Sequence, residues 1–114
     1  MKTDHELLEL AAKAAGIALE WCPEGRAWKK WPSFEWNPLT DDGDALRLAV
    51  MLGLWITIDD EKEMTADAIK AVSGPNGERP KHFTERFKYP QYGDRYTATR
   101  RAIVRAAAEI GSQS

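Results

Sequence analysis

Three stretches of this chain space apolar residues at intervals of three and four, and each runs into a glycine. Leu7, Leu8, Ala11, Ala14 and Ala15 precede Gly16, and Ala45, Leu46, Leu48, Ala49, Val50 and Leu52 precede Gly53. Ile103, Ala106, Ala107 and Ile110, with Tyr96 and Thr99 upstream, precede Gly111. That spacing is the helical period, and glycine takes the left-handed conformation that closes a helix at little cost. Three helices are therefore expected: from Thr3 or Asp4 to Gly16, from about Asp42 to Met51, and from near Asp94 to Gly111. Thr3 and Glu6 have capping-box spacing at the first. The second is apolar over most of its circumference, leaving only Asp44, Arg47 and Met51 outward, and should be the most buried of the three.

The intervening segments change period. Ile17, Leu19 and Trp21 alternate with Ala18 and Glu20 as in a half-buried strand; "PEGR" is a turn, and a second strand starts near Ala27. "WKKWPSFEW" is broken by Pro32 and reads as a strand end, a bend and a short edge segment. "LWITID" is a strand of β-branched and aromatic residues, followed by the charged turn "DEKE". "MTADAIKAVSG" fits either a short helix capped by Thr65 or the hairpin partner of "LWITID", and a strand at its start is the preferred reading. "PNGER" turns again, and "HFTERFKY" sets Phe83, Glu85 and Phe87 on one face against Thr84 and Arg86.

The expected class is α+β: a single domain over 1–111 with a flexible tail at 112–114, its three helices packed on a small, mainly antiparallel sheet of four to five strands in the order α-β-β-α-β-(β)-β-α. At 114 residues there is room for one core. Sixteen basic against eighteen acidic residues leave a net charge of −2, with no global drive toward nucleic acid or anionic lipid. Cys22 is alone, which excludes an internal disulfide. "MKTDHELLEL" has no signal-peptide core and no apolar run reaches the roughly 20 residues that span a bilayer, so a cytosolic protein without membrane contact is expected.

The acids Asp41, Asp42 and Asp44 raise the question of a metal or catalytic site. A calcium loop spreads its oxygen ligands over about twelve residues and ends in a bidentate Glu. Here the acids stop at Asp44 and an apolar helix begins, so the cluster reads as a helix start, with Asp41 as the cap. His5, His82 and Cys22 have no zinc-ligand spacing. No serine lies in a nucleophile-elbow pattern, and "SGPNGE" lacks the lysine-bearing helix of a phosphate loop. The residues therefore point to no catalytic group, no metal and no cofactor, and to a protein that is not an enzyme.

Two stretches suggest binding. Trp28, Trp31, Phe34 and Trp36 interleave with Lys29 and Lys30, a combination suited to a protein hot spot or to stacking on bases, although two or three of the four rings are expected to be structural. In "TRRAIVR", Arg101 and Arg105 lie one turn apart, off the apolar stripe. They suit an anion or an acidic partner if exposed, and otherwise form an ordinary solvated face, with Glu109 paired to Arg105.

"EWNPLTDDGDALRLAV", "YTATRRAIVRAAAEIG" and the opening "HELLELAAKAAGI" together resemble small proteins of tailed bacteriophages and prophages, in the group described as the phage ABA sandwich domain. The stretch from about Asp60 to Tyr92, with its "SGPNGERP" insertion, departs from that pattern. The resemblance implies a phage accessory protein acting in the host cytoplasm, and implies no reaction. The function expected is non-enzymatic binding of a host or phage macromolecule, with a protein as the favoured partner and counter-defence as one use. The alternative is a binder of a small anion such as a nucleotide, with nucleic acid less favoured; an enzyme with a site not visible in the sequence comes third.

Overall fold

A computed structural model describes residues 2–22, 27–30, 34–59, 65–70, 81–86 and 92–113. Among the described residues, three helices and six strands follow one another as α1 (Asp4–Ala15), β1 (Leu19–Cys22), β2 (Ala27–Lys30), β3 (Phe34–Glu35), α2 (Asp42–Leu52), β4 (Trp55–Asp59), β5 (Thr65–Lys70), β6 (Lys81–Arg86) and α3 (Tyr92–Ser112). The class is α+β, as the alternating periods require. The expected turns "PEGR", "DEKE" and "PNGER", the bend at Pro32 and the position of Phe87 lie outside the described residues.

The helix ends follow local chemistry. Glu6 donates its backbone N–H to the Thr3 hydroxyl at 3.2 Å, and Thr3 returns its own N–H to the Glu6 carboxylate, closing the capping box. Gly16 and Gly53 both sit at positive φ, 71° and 65°, and the residue after each donates back into the last helical turn: Ile17 to the carbonyl of Ala12, Leu54 to that of Ala49.

The strands form two antiparallel sheets of three, ordered β1-β2-β3 and β4-β5-β6, rather than one sheet of four to five. The segment with two readings, 65–70, is the central strand of the second sheet. Its burial alternates: Ala66 and Ala68 are fully buried, while Thr65, Asp67 and Ile69 are partly exposed. Two alanines at period two give a flat surface on which a helix can lie close, and α3 packs against β5 and β6 there.

The centre of the molecule is α3, which also packs against α1 and α2. Asp4 meets Arg101, and Leu10 meets Gly111, so α1 and α3 run side by side in the same direction. Ala98, Ala102, Ile103, Val104, Ala106, Ala107, Ala108 and Gly111 of α3 are buried. Small residues on several sides of this helix let its neighbours approach on each of them. Tyr96, expected on the buried stripe, is exposed.

The expectation that α2 is the most buried helix is overturned. Its buried residues are Asp44, Ala45, Leu48 and Ala49, on one side. Leu46, Val50 and Met51 are 63%, 71% and 58% exposed. Apolar content alone does not bury a helix; it must have neighbours on each apolar face. The third helix also runs past its expected stop, and Gly111 lies within it: a Cβ there would sit 2.0 Å from the Leu10 carbonyl oxygen, so this glycine permits close approach of α1 rather than ending α3.

Candidate functional site

The acid cluster is organised by the turn before it. Asn37 accepts the N–H of Leu39 on its side-chain oxygen, and its carbonyl accepts the N–H groups of Thr40 and Asp41. This fold-back places Asp41 at the helix cap, where its carboxylate accepts the Asp44 N–H at 2.8 Å. Asp44, expected to face outward, is instead buried. One of its oxygens accepts the Asn37 N–H at 3.0 Å, and the other accepts from the Arg47 guanidinium at 2.9 Å. Asp42 meets Arg100 of α3 at 2.6 Å, and Arg100 also donates through Nε to the Leu39 carbonyl at 2.8 Å. All three acids therefore hold the N-terminus of α2 in place. Among the described residues, no group of three or more His, Cys, Asp or Glu could hold a metal ion.

Arg101 and Arg105 come together, one turn apart, at a cleft of about 540 Å³ between the start of α1, α3 and β6. Leu7, Phe83 and Ala108 supply its apolar lining, and Lys2, Glu85 and Glu109 join the arginines around it. Both guanidiniums are already engaged. Arg105 donates to Glu85 at 2.8 Å and to the Thr84 carbonyl at 3.2 Å. Arg101 donates to Asp4 at 3.2 Å and lies 3.8 Å from Glu85. Glu85 thus sits between two arginines, and the network ties α3 to β6 and α1. Glu109 does not pair with Arg105 as the helical spacing suggested; it accepts from Lys81 at 3.3 Å and from Gln113. The cross-element partner wins because β6 passes alongside. The Lys81 hydrogen bond, and then that of Gln113, hold the Glu109 carboxyl below its ordinary range.

Trp36 is 2% exposed and belongs to the core, so its ring presents no binding surface. Trp28, Lys29 and Lys30 lie on β2, where the register sets Trp28 opposite Trp21 and Lys29 between Glu20 and Glu35. Trp31 lies outside the described residues. The first sheet is tied to α1 by an edge-to-face contact of Trp21 with His5, their ring centres 4.6 Å apart.

On the outer face of the second sheet an acid, an imidazole and a hydroxyl meet: His82 lies 4.0 Å from Asp67, and Thr84 donates its hydroxyl to the same carboxylate. A nucleophilic relay needs the imidazole between acid and hydroxyl. Here the acid is in the middle, so the contact stabilises the β5–β6 pair without activating Thr84.

Arg100 and the exposed apolar side chains of α2 are the features that sequence reasoning missed. Arg100 is adjacent to Arg101 but points a third of a helical turn away, toward α2. Leu46 and Val50, spaced i and i+4, form one exposed stripe, and Ala45, Leu48 and Ala49 form another, which belongs to the buried core cluster shared with α3. Compared with protein-family models, with curated proteins and with solved structures, the chain matches none.

Proposed function

We propose that this is a non-catalytic bacteriophage accessory protein that acts inside the host cell by binding a host or phage protein. The observation that carries the reading is the exposed face of α2. Leu46, Val50 and Met51 are large apolar side chains left open by a helix whose opposite side is buried. Exposed apolar stripes on helices are a recurring way for one protein to engage another. The phage assignment rests on the sequence resemblance. Binding of a small anion has less support: around the cleft, Asp4, Glu85 and Glu109 already oppose Arg101, Arg105 and Lys81. No described helix is long and apolar enough to cross a membrane.

The test is affinity capture from bacterial lysate with the wild-type chain and with a Leu46→Glu/Val50→Glu variant. The expected result is a protein retained by the wild type and lost by a variant with an unchanged circular dichroism spectrum. Equal capture by both would remove this face. A nucleotide panel run alongside, read as a rise in melting temperature, would favour the small-anion alternative if one member raised it.

A further inference from the structure

Among the described strands, the second sheet has β4 and β6 at its edges, and the two differ in character. One edge strand, β6, carries Lys81 and Arg86 at its ends. Lysine and arginine on an exposed edge strand are among the features that protect sheet edges from pairing. The other edge strand, β4, has the sequence "WITID" with no lysine, arginine or proline, and two of its side chains are conspicuously open: Trp55 is 63% and Ile58 51% exposed.

The geometry points to β4 as a self-pairing edge that joins two copies of this chain around a two-fold axis at Thr57. An antiparallel pair centred on Thr57 sets Ile56 opposite Ile58 of the second copy, Thr57 opposite Thr57, and Trp55 opposite Asp59. Each match is favourable. Ile56 and Ile58 share the face of the sheet that bears Ala66 and Ala68, since they pair with those residues in β5, and Ile56 already packs against the core. Pairing would set the half-exposed Ile58 of one copy beside Ile56 of the other and carry the apolar layer across the axis. On the opposite face, the indole N–H donor of Trp55 meets a carboxylate. The contact is isologous, so it closes at two copies and does not propagate into fibres.

A five-residue strand buries less than the roughly 800 Å² per partner of a long-lived complex, so the pairing is reversible and concentration-dependent. It does not use Leu46 or Val50. A Leu46→Glu/Val50→Glu chain should still pair, which separates failure of this inference from failure of the partner surface on α2.

The experiment is sedimentation equilibrium of the full chain from about 10 µM to about 1 mM, a range bracketing the weak affinities expected of so small a contact. The average mass should rise from 12.8 kDa toward twice that value. Ile58→Lys should hold the chain at the monomer mass with an unchanged circular dichroism spectrum. Because a lysine there could also disturb folding, a second measurement reads the register directly. In a Cys22→Ser background, Thr57→Cys should form an intermolecular disulfide on mild oxidation, whereas Arg86→Cys on the other edge should not. A wild-type mass that stays flat, or cross-linking equal at positions 57 and 86, would overturn the proposal.

Discussion

Asp44 accepts the backbone N–H of Asn37 on a carboxylate oxygen 3.0 Å away, joining the turn before α2 to the first turn of that helix. Its second oxygen holds Arg47. Removing this carboxylate leaves a part-buried N–H without its acceptor, which costs about 1–3 kcal/mol. Asp41 caps the helix from an exposed position, with the Arg47 guanidinium 4.0 Å away, and losing such a cap costs about 0.5–2 kcal/mol. Asp44→Ala should therefore destabilise more than Asp41→Ala in urea unfolding, and Asp44→Asn, which keeps an acceptor, should fall between Asp44→Ala and wild type. EDTA should leave the melting curve unmoved. Equal losses for the two alanine variants would return Asp44 to the role of a simple first-turn acid.

Gly111 faces the Leu10 backbone so closely that a methyl group would lie 2.0 Å from the carbonyl oxygen and 2.8 Å from its carbon. Neither atom can rotate away, so Gly111→Ala forces α1 and α3 apart. The expected loss is at or above the top of the roughly 1–3 kcal/mol range for overpacking. Gly43 is the control. A Cβ there meets only the ends of the Arg47 and Asp41 side chains, at 3.1–3.3 Å, and alanine is the better helix former by about 1 kcal/mol. Gly43→Ala should unfold at the wild-type urea concentration or above it. A Gly111→Ala protein as stable as wild type would show that the two helices can separate freely.

These two sites show what the sequence could and could not convey. Thr3, Gly16, Asp41 and Gly53 act within a few residues of themselves, so their roles as caps were legible from spacing alone. Gly111 has the same signature at the end of an apolar stripe, yet its role depends on Leu10, about a hundred residues earlier in the chain. The exposed stripe of α2 was hidden for a related reason. Periodicity shows that Leu46 and Val50 share a face, but which face meets α3 is decided by the whole packing arrangement. Arg101 and Arg105 were correctly placed off the apolar stripe; their partners Glu85 and Asp4 come from distant elements that no local pattern brings together.

Glu85 stands between Arg101 and Arg105 at 3.8 and 2.8 Å. Reversing one charge should therefore hurt and reversing two should compensate. Arg105→Glu alone places a second acid against Glu85 and is expected to lower stability. Glu85→Arg combined with Arg105→Glu should recover part of the loss. The coupling in that double-mutant cycle should be a few tenths to about 1 kcal/mol, because both arginines remain half-open to solvent. It should shrink as salt rises. Zero coupling at low salt would mean that the contact is geometric only.

Lys81 donates to Glu109 across the gap between β6 and α3, at 3.3 Å, and this hydrogen bond is the main cause of a Glu109 carboxyl held below its ordinary value of 4.5. A proton that binds the folded state more weakly than the unfolded one makes folding favourable where the carboxyl is ionised. This contribution is complete above the ordinary value and is lost as pH falls below it through the folded value. Its size is small, below about 1 kcal/mol, since both side chains are well exposed and solvent screens the pair. Lys81→Met removes the donor and the positive charge while keeping the length of the side chain. In that variant the Glu109 carboxyl, followed by NMR titration, should move back up toward its ordinary value, with Gln113 leaving a residual depression. Stability measured below pH 4.5 should then differ less between wild type and variant than stability measured at neutral pH. An unchanged Glu109 titration in Lys81→Met would assign the depression to Gln113 and leave β6 and α3 without this acid-sensitive link.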